Sequence, residues 1–336
     1  MQYTTLGKTG LKVSRLGFGG IPIQRTEKAD AVPLIEAVAD AGINYIDTAK
    51  GYTVSEEFIG MAMGALRDKF ILATKSMSRD AESMARDIDD SLVKLRTDYI
   101  DIYQMHNLKE TDIERVTAPG GALEALETAR ATGKIGHIGV TTHSLDVFRA
   151  MLSEPWVETL MFPYNIVETQ GADCVRECRE RNIGFLAMKP MAGGAIDKPE
   201  LAIRYLLADG NVDMALVGMY SRSEVAQNTA AANGASPLTA EDEAGIKALR
   251  DMLSGNFCRR CNYCAPCTAG IAIPLVFQYG GYLERYGLAD WANTRYFAMD
   301  KRAKDCVECG VCETRCPYGL PIREMMKKYA KMFGEE

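Results

Sequence analysis

Asp47, Tyr52, Lys75 and His106 stand at or just beyond the ends of three successive apolar runs, INYID, FILATK and YIDIYQM. Together they would make a proton-delivery device. A tyrosine, with a reference pKa of about 10, is a poor acid at neutral pH. An ammonium beside the phenol favours the phenolate, and a carboxylate keeps that ammonium charged and in place. In such a set Tyr52 protonates an oxygen as hydride reaches the carbon, Lys75 and Asp47 support it, and His106 orients or polarises the carbonyl. Singly, each residue has a plainer use: Asp47 and Lys75 as an ion pair, Tyr52 as a loop aromatic, His106 as a hydrogen-bonded core imidazole. Their joint occurrence near successive strand ends favours catalysis. His143, in GVTTHS, reads as a pocket-lining or helix-capping residue, and His137, inside a strand, as packing.

Eight of the ten cysteines fall in two runs: Cys258, Cys261, Cys264 and Cys267, then Cys306, Cys309, Cys312 and Cys316 followed by Pro317. The second run, C-x2-C-x2-C-x3-C-P, resembles the spacing of bacterial ferredoxins. Two residues between cysteines let one loop present three thiolates to three corners of a [4Fe-4S] cubane, so the fourth ligand comes from elsewhere. The resemblance to two-cluster ferredoxins implies one cluster on Cys258, Cys261, Cys264 and Cys316 and another on Cys306, Cys309, Cys312 and Cys267. The first run departs from that pattern by closing with two intervening residues and no following proline. Zinc is the rival metal, but its all-cysteine sites usually appear as two separated C-x2-C pairs. Disulfides would need an oxidising compartment. The stretch between the runs includes IPLVFQYGGYLERYGL, whose apolar residues recur at helical intervals, so the module resembles an α-helical ferredoxin. Cys174 and Cys178, four apart on an expected helix, read as one buried and one partly exposed thiol.

The chain ahead of the cysteines must position the first set. Short β-branched runs (VSRLGFG, INYID, FILATK, YIDIYQM, IGHIGV, TLMFPYN, GFLAMKP, MALVGM) alternate with helical patterns over 30–41, 55–66, 81–95, 120–132, 145–153, 171–181, 199–208 and 223–231. That alternation predicts parallel βα units, and eight such units close a (β/α)8 barrel, whose chemistry sits at the carboxyl ends of the strands. A further helix is expected near 239–253, and Asn233-Gly234 and Ser236-Pro237 punctuate the junction before it. The expected fold is thus α/β: a (β/α)8 TIM barrel over 1–254, then an α-helical ferredoxin-like domain over 255–336.

The opening YTTLGKTGLKVSRLGFGG, the IDTAKGY segment and SLVKLRTDYIDIYQMH resemble the aldo-keto reductase superfamily, over about residues 1–232. With the cysteine tail, the whole chain is similar to the iron-sulfur-containing branch of that superfamily. The resemblance implies a catalytic tetrad, matched by Asp47, Tyr52, Lys75 and His106, and hydride transfer with NAD(P)H. It also implies carboxamide contacts after strand five and on strand six and a stacking residue after strand seven; Thr141, Thr142, Met161 and Met188 stand there. VGMYSRSEVAQN matches the adenosine-binding segment at Gly218 and Asn228, while the phosphate-binding Lys and Arg of many members fall at Gly218 and Glu224. An acidic residue there repels a 2′-phosphate and can accept from ribose hydroxyls, so NAD is expected over NADP unless Arg222 restores a cation. Backbone around Lys189, Met191, Gly193 and Gly194 is the expected diphosphate contact, glycine permitting close approach.

Composition agrees with a globular enzyme, since 47% hydrophobic and 25% charged residues supply an ordinary core. No apolar run approaches the length that spans a bilayer, and the amino terminus lacks a signal-peptide pattern, so a cytoplasmic protein with no membrane partner is expected. The net charge of −6 is uneven, residues 255–336 holding 12 Lys+Arg against 9 Asp+Glu. No basic face marks a nucleic-acid binder. Arg259, Arg260, Lys301, Arg302, Lys304 and Arg315 flank the cysteines and could attract an acidic electron carrier such as ferredoxin. Nicotinamides exchange two electrons and each cubane one; a flavin would reconcile them, though no flavin fingerprint is visible. The leading reading is an oxidoreductase acting on a small carbonyl or alcohol. The alternative is a ferredoxin-linked electron-transfer or redox-sensing protein whose barrel does not use a nicotinamide.

Overall fold

The computed structural model describes residues 1–336 except 235, 236, 254, 256, 261 and 336. By their internal contacts the residues form two compact units, Met1–Pro190 with Lys198–Asp242, and Met191–Asp197 with Glu243–Glu336.

In the first unit an antiparallel hairpin, β1 (Tyr3–Thr5) and β2 (Lys12–Ser14), precedes eight parallel strands. These are β3 (Leu16–Gly19), β4 (Tyr45–Asp47), β5 (Ile71–Ser76), β6 (Ile100–Met105), β7 (Ile135–Thr141), β8 (Thr159–Pro163), β9 (Gly184–Met188) and β10 (Met214–Gly218). They close in the order β10-β3-β4-β5-β6-β7-β8-β9, the expected barrel, and each falls on an apolar run picked out above. Such runs suit strands buried on both faces, as a parallel sheet requires. Helices Ala81–Leu95 and Pro199–Ala208 start and stop where the periodicity does. Local start signals reinforce the pattern: Asp80, Ser144 and Ser221 each accept a backbone N–H of the first turn that follows.

The barrel interior is filled by Tyr45, Ala73, Ile102, Met161, Leu186, Met214 and Leu216, joined by Leu6 and Val13 from the hairpin segment. That hairpin is not legible in the sequence, because strands of three residues are too short to show an alternation. The barrel places Asp47 as the last residue of β4, Lys75 next to last in β5 and His106 immediately after β6. One expectation is corrected. Cys174 and Cys178 are both buried, because residues four apart lie on the same helix face, and burial pushes the Cys174 thiol up to about 11.

The second unit is helical, with Ile273–Glu284, Ala289–Phe297, Val311–Arg315 and Ile322–Met332 around a core that includes Val276, Phe277, Tyr296, Met326 and Tyr329. The helices at 289–297 and 322–332 go beyond the sequence expectation. Tyr296 ties distant parts of this unit together. Its ring stacks on Phe333 at 3.7 Å, and its hydroxyl donates to Glu335 (2.7 Å) and accepts from the Ala303 N–H (3.0 Å). No helix among the described residues is long and apolar enough to cross a membrane.

Helix Ser55–Leu66 carries two glycines of opposite meaning. A Cβ at Gly60 would stand 2.1 Å from the Lys94 carbonyl oxygen, whereas one at Gly64 would meet nothing within 4 Å. Gly60→Ala should therefore cost about 1–3 kcal/mol through overpacking. Gly64→Ala should add about 0.5–1 kcal/mol, the penalty a mid-helix glycine carries relative to alanine. Urea titrations in which the two variants moved stability in the same direction would contradict this packing.

Candidate active site and cysteine module

Gly20 draws the start of the site together. Its N–H donates to the Asp47 carbonyl (2.7 Å), and a Cβ there would sit 2.8 Å from both that oxygen and Ser55 Oγ. Ser55 Oγ in turn donates to the Gly20 carbonyl (2.9 Å) and lies 2.7 Å from Thr48 Oγ1. This network fixes the turn from β4 into helix Ser55–Leu66, and that turn carries Tyr52, 8% exposed.

Lys75 reaches across from β5. Its ammonium donates to Asp47 Oδ2 and to the Thr48 carbonyl (2.6 Å), and both side chains of the ion pair are almost wholly buried. Burial presses both groups toward neutrality, raising Asp47 and lowering Lys75, and the pairing opposes it. Gln104, on β6, donates to the other Asp47 oxygen at 2.9 Å. Glu56, also buried, accepts from Thr74 Oγ1 at 2.7 Å and adds negative charge to the surroundings of Lys75. Lys75 Nζ stands 4.9 Å from the centre of the Tyr52 ring, and the His106 ring meets Tyr52 edge-on, centroids 5.6 Å apart. His106 is held by its backbone: its N–H donates to the Ser76 carbonyl and its carbonyl accepts from Arg79, both at 2.8 Å. Burial, then the charges of Lys75 and Arg79, keep its imidazole pKa well below the usual range, so the ring is neutral at physiological pH. The structure thus gathers all four selected residues. Gln104 and Glu56 escape the sequence reading, because nothing local separates an inward-facing polar residue from a solvated one.

The residues selected for a nucleotide are placed differently. Thr141 Oγ1 accepts from the Asn107 N–H (2.8 Å), while Thr142 Oγ1 donates to the Leu108 carbonyl (2.9 Å) and accepts from the Ser144 N–H (3.0 Å). Both hydroxyls are occupied in shaping neighbouring loops, and Met161 is buried in the barrel core. His143 pairs with Asn107 (3.0 Å), the capping role falling to Ser144, and His137 pairs with Glu158 (2.8 Å). After β9, Lys189 takes a φ of +58°, and its carbonyl accepts from the buried Asn165. Met191 and Gly193 belong to the second unit, where the Gly193 carbonyl accepts from Arg285 Nε at 2.8 Å. Gly218 is exposed, Asn228 is buried, and Glu224 accepts from the Tyr220 N–H at 2.8 Å. The Arg25 guanidinium covers the Tyr220 ring at 3.9 Å, while Arg222 is exposed.

In the second unit Cys267, Cys306, Cys309 and Cys312 line one pocket, together with Ile271, Ile273 and Met326. Thiols from both runs therefore face the same space. Among the described residues no three Cys, His, Asp or Glu side chains converge on a single ion position, as a mononuclear zinc site requires. Four thiols around one space suit the four corners of a cubane. Cys258, Cys264 and Cys316 are half-buried against the same core; Cys261 lies outside the described residues. Arg259 stacks on Tyr318 at 3.9 Å, joining the segment after Cys258 to that after Cys316. Several flanking cations are engaged within the module: Arg302 and Lys304 with Glu335, Arg315 with the Pro266 carbonyl, and Arg260 with the Cys258 carbonyl, whereas Lys301 is exposed.

The buried ion pair makes a stability prediction. Lys75→Met or Asp47→Asn alone strands the partner and should cost about 3–5 kcal/mol, while the double variant should recover most of that loss. Urea unfolding of the three proteins reads the coupling, and additive losses in the double variant would mean that the two side chains act separately.

The family described as "Aldo/keto reductase family" matches residues 15–200, and a "4Fe-4S dicluster domain" matches residues 257–321. L-galactose dehydrogenase of Arabidopsis thaliana is 28% identical over 282 residues, covering 69% of this chain and 88% of that protein. The 6-dehydroglucose reductase of Novosphingobium aromaticivorans is 29% identical over 232 residues, 62% of this chain and 74% of that one. Among solved structures, an aldo-keto reductase from Bacillus halodurans in its holo form matches with a TM-score of 0.65 and 27% identity, covering 74% of this chain and 96% of that chain. With the tetrad geometry and the cysteine-lined pocket, these likenesses identify the chain as an oxidoreductase of the aldo/keto reductase family with a 4Fe-4S dicluster domain at its carboxyl-terminal end.

Proposed function

We propose that the barrel interconverts a small-molecule carbonyl and the corresponding alcohol, with Tyr52 as general acid/base and NAD(P)H as the hydride source. The observation that carries this is the placement of Lys75, held by Asp47 and Thr48 with its charge 4.9 Å from the Tyr52 ring centre. An ammonium so placed stabilises the phenolate left when Tyr52 gives its proton to the substrate oxygen. With its pKa lowered by burial, Lys75 is also better able to return a proton to the phenol. Asp47 keeps the ammonium charged and aimed, and Gln104 keeps Asp47 from turning away. His106, neutral and edge-on to the same ring, polarises the carbonyl oxygen through a hydrogen bond rather than as a cation.

A nicotinamide, when bound, supplies the hydride. The chain fits its two ends unequally. At the adenosine end the segment with Glu224 and Asn228 resembles the family's binding segment, and an acidic Glu224 where many members carry a cation supports NAD over NADP. At the carboxamide end Thr142 is already hydrogen-bonded to backbone and Met161 offers no donor, so no step of the chemistry is assigned to that contact. That misfit is also what favours the second reading, a ferredoxin-linked electron-transfer or redox-sensing protein. In either case the dicluster domain would hold one [4Fe-4S] cluster on Cys258, Cys261, Cys264 and Cys316 and another on Cys267, Cys306, Cys309 and Cys312, the second set supported by the shared pocket. An acidic one-electron carrier is the partner such a module suits.

Anaerobic titration with NADH and NADPH, following cluster bleaching and nicotinamide absorbance together, tests the reading. Coupled changes, stronger with NADH, are expected; a reducible iron-sulfur spectrum indifferent to both nucleotides would shift the reading to the ferredoxin-linked one. On a substrate so identified, Tyr52→Phe should lower turnover by about 10²–10⁴-fold while leaving the iron content intact. For the clusters, Cys267→Ser should remove the one bound by Cys306, Cys309 and Cys312 and spare the other, read as a loss of about half the iron. Loss of both clusters in a protein whose barrel still melts normally would speak against the crossed ligand set.

A further inference from the structure

The two cysteine loops share a backbone and differ in one donor. Arg260 and Asn262 take positive φ values of 58° and 66° around the second cysteine of the first run; Glu308 and Gly310 do the same, at 52° and 77°, around that of the second. The turns therefore match position for position. The residue after the fourth cysteine does not: it is Pro317 in the second run, with neither an N–H nor a side-chain donor, and Thr268 in the first. Thr268 Oγ1 lies 3.0 Å from the sulfur of Cys309, across 41 residues of sequence. Cys309 belongs to the four thiols around the shared pocket, so a residue of the first run reaches a ligand of the other set. Within its own set Cys309 is the exposed thiol, Cys267 and Cys306 being half-buried and Cys312 buried.

We propose that Thr268 is a redox-tuning residue, whose hydroxyl donates to the Cys309 thiolate and makes the cluster on Cys267, Cys306, Cys309 and Cys312 the higher-potential one of the two. A cluster ligand is a thiolate and can only accept, so the hydroxyl is the donor in the loaded protein. Reduction adds an electron and negative charge to the cluster, and a donor aimed at a ligating sulfur stabilises that charge more in the reduced state than in the oxidised one. Solvent exposure of the same sulfur acts in the same direction. An electron entering the module from an external one-electron donor is therefore stored first at this end, where Cys309 reaches the surface. The threonine that interrupts the ferredoxin-like pattern after Cys267 is thus the feature that makes the two clusters unequal.

This inference rests on the ligand sets proposed above, and the experiment separates the two. The full chain is reconstituted anaerobically, its iron counted, and its two clusters titrated with dithionite under redox mediators, each followed by electron paramagnetic resonance. The wild type should hold about eight irons, four per cubane, and show two separate midpoint potentials. Thr268→Val should lower the higher potential, leave the lower one unmoved and narrow the gap at unchanged iron content, while Thr268→Ser, which keeps the hydroxyl, should retain the gap. Thr268→Ala is made alongside, so that a packing failure at valine leaves the comparison intact. In Cys267→Ser the surviving signal should be the lower-potential one. Eight irons with a gap unmoved in the alanine or valine variant, or a gap lost equally in the serine variant, would overturn the role of Thr268; fewer irons in the wild type would overturn the ligand sets first.

Discussion

The first unit depends on one buried ion pair. Lys75 and Asp47 bring opposite charges inside the carboxyl end of a barrel, where desolvation works against both and only their contact, with the Thr48 carbonyl and the Gln104 amide, compensates. That requirement accounts for much of the surrounding detail. Gly20 must lack a side chain because the Asp47 carbonyl and Ser55 Oγ occupy its space, and Ser55 must bond back to Gly20 so that the turn carrying Tyr52 stays fixed. A pair that merely stabilised the barrel could be replaced by apolar side chains of similar volume. Its position against the Tyr52 ring, with a neutral His106 on the same ring, gives it the chemical use developed above.

The second unit meets a different constraint. Its core is small, and aromatic stacking of Tyr296 on Phe333, Phe277 against Tyr329 and Tyr282 against Trp291 supplies much of the packing between its helices. The cysteines lie against that core, one of them inside it, so cluster binding and folding of this unit are expected to be linked, as they are where metal ligands converge only in the native chain. Positive-φ residues on either side of the second cysteine in each run curl the backbone around its sulfurs, with the Arg260 N–H donating to Cys258 Sγ at 3.4 Å.

The two units therefore offer two redox chemistries with different electron counts. On the function proposed above, the barrel would handle a proton and a hydride equivalent, and the dicluster domain single electrons. The loop at Met191–Asp197 belongs by chain order to the end of the seventh barrel strand and by packing to the second unit, through the bond from Arg285 to Gly193.

By itself the sequence determined whatever rests on local periodicity and spacing. The eight barrel strands follow from short apolar runs and most helix limits from helical periodicity, the tetrad residues from their position at strand ends, and the cysteine loops from the reach of one short turn around a cubane. Tertiary structure alone decided which distant groups meet. It engaged the Thr142 hydroxyl with Leu108 and Ser144, set Gln104 on Asp47, brought Cys267 to the pocket of the second run, buried both Cys174 and Cys178, and aimed Thr268 at Cys309. The reason is physical: a repeat of 2 or about 3.6 residues reports which face an element buries, but not what another element, tens of residues away, will present to that face. Hydrogen-bond partners across a barrel or between two cysteine loops are chosen by packing, and packing exists only once the chain has closed.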